Sequence, residues 1–297
     1  MKYSHVTRRQ MMVGVAQAAA GMALVSSCAS SGGRRSAKAS PAGFKIGACD
    51  WTIGKRTDPA SLEVAKRIGL DGVQVDIGRG ENDLPLFDHW MQQKYIEARQ
   101  TREIEIASLA LGVLNNVPYK SDARAELWVD KSIDVCKVLG VNVVLVAFFG
   151  NGDLRDDDKG TDVVVERFKK VAPKAEDAGV TLAIESWLSA EKHMEIIERV
   201  GSPAVRVYYD VANSNKAGYD IYAEIRRLGK LICEFHAKDY DDLHGKGSID
   251  FERVRAAMDD IGYRGWLVME GTKMPLGVEE SCRYDAEYLR GIFPAEV

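Results

Sequence analysis

The chain has 297 residues, 46% of them hydrophobic and 28% charged, with a formal net charge of −4. That is enough apolar material for one large core or two modest domains. Its lysines and arginines are scattered rather than blocked, which argues against a nucleic-acid surface, because phosphate backbones demand concentrated positive charge.

The first forty residues do not read as fold. "MKYSHVTRRQMM" is a basic leader, and "VGVAQAAAGMALV" is an apolar stretch too short to span a bilayer. Arg8-Arg9 after Thr7, followed by Met11-Met12, resembles a twin-arginine export signal, a route that carries folded proteins. "VSSC" at 25–28 resembles a lipoprotein cleavage box with Cys28 as the acylated residue; ordinary signal cleavage after Ala39 is the alternative. Residues 1–28 then form the signal, 29–42 a flexible tether and 43–297 the folded domain. The expected location is the periplasm, or the cell envelope with a lipid at Cys28 as the only membrane contact.

Beyond the tether, β-branched runs alternate with segments of helical periodicity. Strands are expected at 44–48, 72–77, 105–111, 142–148, 181–185, 205–210, 231–236 and 266–270. Helical stretches such as "SLEVAKRIG", "AELWVDKSIDVCKVLG" and "FERVRAAMDDIG" lie between them. Several end at a glycine, at 69, 140, 179, 201, 229 and 262, where a left-handed cap would stop a helix. Strict alternation implies a parallel sheet with right-handed crossovers. "GACDWTIG" after the first strand is no phosphate-binding turn, and eight units fit a closed (β/α)8 barrel better than an open sheet. No linker divides the body, so one domain is expected.

Four cysteines lie in the body, Cys49, Cys136, Cys233 and Cys282, without CxxC spacing, and they read as buried thiols rather than a metal or redox site.

Four consecutive strands end in a residue able to bind metal: Glu185, Asp210, His236 and Glu270. In a barrel these ends converge at one mouth, where active sites sit. Three carboxylates and one imidazole suit one divalent ion, Mn²⁺, Mg²⁺ or Co²⁺ first, with Fe²⁺ and Zn²⁺ compatible, and leave positions open for substrate oxygens. In "TLAIE", Glu185 lies in phase with Ala183 and Thr181, small residues suited to a crowded axis.

The order Glu, Asp, His, Glu resembles that of the sugar phosphate isomerase/epimerase family, the xylose-isomerase-like barrels that include tagatose 3-epimerase. The strings "LAIESW", "YYDVANS", "EFHAKDY" and "GYRGWLVMEG" carry the resemblance. It implies that Glu185, Asp210, His236 and Glu270 hold one divalent ion, and that Glu185 and Glu270 also carry protons. A metal-stabilised enediolate would form as one carboxylate removes an α-proton, and the other would return it on the opposite face. The implied activity is a metal-dependent isomerase or epimerase of a keto-sugar or sugar derivative, and the resemblance also admits a homo-oligomer. Lyase- or hydrolase-type processing of 3-keto-glycosides and a non-catalytic sugar-binding lipoprotein are the alternatives. An apurinic-site endonuclease would need further histidines and a basic face.

Asn213 stands where the tagatose-type enzymes carry a substrate-binding histidine, so the sugar does not transfer. Lys238 reads as a phosphate or oxyanion contact or as the partner of Asp239 or Asp241, and Trp51 and Trp187 as sugar-stacking or packing residues. Glu234, one layer below His236, could support the imidazole. His89 and His193 read as surface residues, and His244 as able to reach the mouth.

Overall fold

The computed structural model describes residues 43–295 apart from Asp241 and Thr272. The export signal, Cys28 and the tether lie outside the described residues.

Eight strands close into one parallel barrel in chain order. They are β1 (Lys45–Cys49), β2 (Gly72–Asp76), β3 (Glu105–Leu111), β4 (Val143–Phe148), β5 (Thr181–Ser186), β6 (Val205–Asp210), β7 (Ile232–Ala237) and β8 (Trp266–Met269). Strand β1 returns to β8, with Lys45 opposite Trp266, which closes the ring. The helices between them are α1 (Ser61–Ile68), α2 (His89–Arg102), α3 (Ala123–Leu139), α4 (Asp158–Ala178) and α5 (Ala190–Val200). A short α6 (Val211–Lys216) follows β6 directly, then come α7 (Ile221–Leu228), α8 (Phe251–Asp260) and α9 (Val278–Ile292). No helix among the described residues is long and apolar enough to cross a membrane.

Both faces of each strand are buried, as parallel strands require. Val144, Val146, Leu182, Ile184, Val207 and Phe235 point outward into the main core beneath the helices. Inside the barrel, Ala110, Leu145, Ala147, Ala183 and Tyr208 form a second, smaller cluster. Trp266 fills the lower end of the axis, and it fits because β1 and β2 present Gly47 and Gly72 there. A Cβ on Gly72 would lie 2.6 Å from the Trp266 ring and 2.8 Å from the Glu105 carbonyl oxygen.

The glycines at 69, 140, 179 and 201 cap α1, α3, α4 and α5 in the left-handed region. Gly229 follows α7 at φ 53°, ψ −125°, a conformation open to glycine but hardly to other residues. At the end of α8 the cap is Ile261, one residue before the expected glycine. Helix α2 had no glycine to mark its end and stops at Glu103, held at φ 54°.

Two histidine expectations fail. His193 is buried, 2% exposed, on the apolar face that α5 forms with Ala190, Ile196, Ile197 and Val200. Its Nδ1–H donates to the Ser189 carbonyl at 3.0 Å, and its Nε2 accepts from the Ser186 hydroxyl at 2.9 Å. His244 is also buried, packed on Phe251 with its backbone N–H on Asp285 of α9, and does not line the mouth. His89 is exposed, as expected. The four body cysteines are free; Cys49, Cys136 and Cys282 are buried and Cys233 is half-buried.

Candidate metal centre

Strand register brings the four candidate ligands together. Asp210 pairs directly with His236 across β6 and β7. Glu185, one residue before the end of β5, lies beside them, and Glu270 follows β8, its backbone N–H on the Ala237 carbonyl at 3.0 Å. One ligand atom from each of Glu185, Asp210, His236 and Glu270 falls within 4.8 Å of the others.

Each carboxylate is held by its own local structure. The Oδ1 of Asp210 caps α6, accepting from the N–H groups of Ala212 and Asn213, both at 2.8 Å. That use of one oxygen leaves Oδ2 buried with no hydrogen bond among the described residues. Oε1 of Glu185 lies 2.9 Å from His236 Nδ1 and accepts from Asn213 Nδ2 at 3.5 Å. Glu270 accepts from the Trp51 indole at 3.2 Å on Oε1 and from Lys238 Nζ at 2.7 Å on Oε2. Lys238 therefore joins the cluster rather than pairing with Asp239, whose carboxylate takes the backbone N–H groups of Gly247, Ser248 and Ile249.

The imidazole is held from behind by a residue that does not stand out in the amino-acid pattern of its strand. His236 Nε2 lies 2.8 Å from Oε1 of Gln74 on β2, so the supporting partner is Gln74 and not Glu234. Glu234 is buried below it in the barrel, and burial lifts its carboxyl to about 7 against the pull of Ser108 and His236.

The field of the cluster is strongly negative. Burial pushes the Asp210 carboxyl up to about 7; Glu270 and Glu185 add to this and Lys238 opposes it. Burial alone would lower the His236 pKa, but Glu185 first, then Glu270 and Asp210, raise it to about 9. Burial works against the ionised Glu270 carboxylate too, yet Lys238 and His236 hold it well below the usual range. Three carboxylates and one ammonium leave a balance that a single divalent ion would neutralise. The bare Oδ2 of Asp210 and the carboxylate-rich donor set both fit such an ion.

Above the cluster opens a cavity of about 290 Å³, at the small end of the range for small-molecule sites. Glu185, Glu270, Lys238, Asn213, Trp51 and Trp187 all line it, so every residue assigned to substrate from sequence reaches this space. Asn213 faces inward as well, donating to Glu185 and accepting from the Tyr240 hydroxyl. Arg155 sits over the Trp187 ring at 4.6 Å and Arg56 over the Trp51 ring at 5.0 Å. Arg56 is itself anchored on the buried Asp76. Sequence reasoning missed Arg56, Arg79, Asn115, Phe149 and Tyr240, all of which line the cavity. They lie on loops after strand ends, and that position was the available signal.

A family model described as the xylose isomerase-like TIM barrel matches residues 62–292. The chain belongs to this family. Among its relatives is SgbU of Escherichia coli (strain K12), provisionally named an L-ribulose-5-phosphate 3-epimerase. The two are 25% identical over 237 residues, 71% of this chain and 82% of the relative. D-psicose 3-epimerase from Clostridium cellulolyticum H10, solved with D-tagatose, superposes at a TM-score of 0.71 with 17% identity, over 84% of this chain and 99% of its own. 3-Keto-D-glucoside 4-epimerase YcjR of E. coli superposes at 0.68 with 14% identity, over 84% and 99%. Sugar epimerases thus recur among the homologues of this xylose isomerase-like barrel.

Proposed function

We propose that the chain is a divalent-metal-dependent epimerase or isomerase of a keto-sugar or sugar derivative. The observation that carries this reading is the convergence of Glu185, Asp210, His236 and Glu270 within 4.8 Å under a sugar-sized cavity. These four would hold the ion. When bound, it supplies a Lewis acid for the negative charge that develops as a carbon next to a carbonyl loses its proton.

The chain's own groups do the rest. Glu185 and Glu270 both line the cavity, on β5 and after β8, so one carboxylate can take the α-proton and the other return it to the opposite face. Lys238 is placed to donate to a substrate oxygen beside Glu270. Trp51 and Trp187 offer ring surface to a sugar, and the indole N–H of Trp51 also orients Glu270. The names of the relatives support a sugar substrate. We further assign residues 1–28 as an export signal with Cys28 as its lipid site and residues 29–42 as a tether. That location favours free or oxidised sugars over phosphorylated ones.

The test is the metal content of the purified domain by mass spectrometry, beside an Asp210→Ala variant. About one divalent ion per chain, lost in the variant, supports the reading. No bound ion after reconstitution with Mn²⁺, Mg²⁺ or Co²⁺ overturns it.

A further inference from the structure

We propose that Gln74 is a positioning residue that fixes the ring of His236 and keeps a proton on Nε2, so that Nδ1 is the nitrogen left to bind a cation held among Glu185, Asp210 and Glu270. This rests on the metal-site reading above and names the residue that prepares the site.

Oε1 of Gln74 lies 2.8 Å from His236 Nε2, and its Nε2 lies 2.9 Å from the Ser108 hydroxyl; all three side chains are fully buried. An amide could in principle be turned end for end, which would place N–H against the imidazole and drive the ring proton to Nδ1. The surroundings disfavour it. The Cys49 thiol, 3.3 Å from Gln74 Oε1 and 3.5 Å from His236 Nε2, offers a donor to the same oxygen. Thiols accept hydrogen bonds poorly, so an amide N–H placed there would lack a good acceptor. The Ser108 hydroxyl can take the amide N–H and turn its own proton elsewhere in the barrel. The oxygen of Gln74 therefore faces His236, and Nε2–H donates to it.

On the other side of the ring, Nδ1 lies 2.9 Å from Glu185, 3.8 Å from Glu270 and 3.9 Å from Asp210. A neutral imidazole can bind a cation there only if Nδ1 carries no proton. Partners of this kind on ligating histidines are worth about 10–100-fold in metal affinity. Gln74 comes from β2, on the opposite side of the barrel from the four candidate ligands, so it braces the ring across the axis.

The experiment measures Mn²⁺ affinity by calorimetry for wild type, Gln74→Leu and Gln74→Glu, with circular dichroism to verify folding. Long-range ¹H–¹⁵N spectra of the Zn²⁺-loaded proteins read the ring. Wild type is expected to show His236 coordinated through Nδ1 and protonated on Nε2. Gln74→Leu, which removes the acceptor at similar volume, is expected to bind Mn²⁺ roughly 10–100-fold more weakly. Gln74→Glu restores an acceptor and is expected to keep wild-type affinity within about threefold and the same ring protonation. Wild-type affinity in Gln74→Leu overturns the inference alone, as does weak binding by folded Gln74→Glu. If Gln74→Leu does not fold, Gln74→Glu and the wild-type spectrum decide. Failure of wild type to bind any cation overturns the metal reading itself.

Discussion

Lys238 donates to Glu270 across the ends of β7 and β8, Nζ to Oε2 at 2.7 Å, with Asp210 Oδ2 at 3.7 Å from the same ammonium. The pair is mostly buried, so the ammonium offsets one of the three carboxylate charges. Replacing Lys238 by Met is expected to leave a divalent ion bound, because the four candidate ligands remain. Turnover should fall about 10²- to 10³-fold through loss of a positioned donor. Metal analysis alongside kcat separates the two effects; undiminished kcat would remove Lys238 from the reaction.

Glu185→Gln and Glu270→Gln keep shape but cannot take up a proton. Each is expected to cut epimerisation by about 10²–10⁴-fold. Incorporation of solvent deuterium at the carbon next to the carbonyl distinguishes them. If each carboxylate serves one face, one variant will still exchange the α-hydrogen of one epimer and the other variant that of the opposite epimer. Wild-type turnover in either variant would defeat the two-carboxylate scheme.

Metal binding is expected to strengthen as pH rises towards 9. The carboxylates around His236, Glu185 foremost, raise its pKa to about 9 despite burial, so a proton competes with the ion for Nδ1. Affinity should rise up to about tenfold per pH unit for each proton displaced. Calorimetry in two buffers of different ionisation enthalpy counts the released protons. An affinity flat between pH 6 and 9 would contradict the electrostatics of the cluster.

His193 gives a pH dependence of opposite origin, in stability. Burial lowers its pKa to about 4, while the Ser189 carbonyl opposes this. The unfolded chain then binds the proton more readily than the folded one. The contribution is complete above the unfolded value and is lost as pH falls through roughly 6.5 towards 4, at most about 3 kcal/mol. Wild type and His193→Gln, compared by chemical denaturation at pH 7.5 and 5, should differ in slope. Wild type is expected to lose more stability on acidification.

Two glycines at opposite ends of the barrel, Gly72 at the base and Gly112 at the mouth, offer a contrast. Gly72→Ala forces a Cβ to within 2.6 Å of Trp266 and 2.8 Å of a backbone oxygen, and overpacking of this kind costs about 1–3 kcal/mol. At Gly112 a Cβ would meet only Asp76 Oδ2, at 3.6 Å, so Gly112→Ala should leave the melting temperature nearly unchanged. Equal melting temperatures for the two variants would refute the packing described at Trp266.

The barrel and the convergence of the four candidate ligands were legible because they depend on local patterns, β-branched runs and a polar residue at or beside each of four strand ends. Gln74 was not. It lies inside a strand, "GVQVDI", and acquires meaning only when β2 faces β7 across the barrel axis. His193 was misread because polarity was weighed against the phase of α5, in which Ala190, His193, Ile197 and Val200 share one face. Asp210 carried a signal that was available: an acid two and three residues before the N–H groups of a short helix is a cap. The tertiary structure then leaves that cap's second oxygen facing the other candidate ligands.

The candidate ligands all come from β5 to β8, whereas the loops after β1 to β4 supply Trp51, Arg56, Arg79, Asn115 and Phe149 to the cavity wall. The first half of the chain therefore shapes part of the cavity wall without supplying a candidate ligand, so exchanging these loops for those of a relative would remodel that wall while all four candidate ligands stay in the chain.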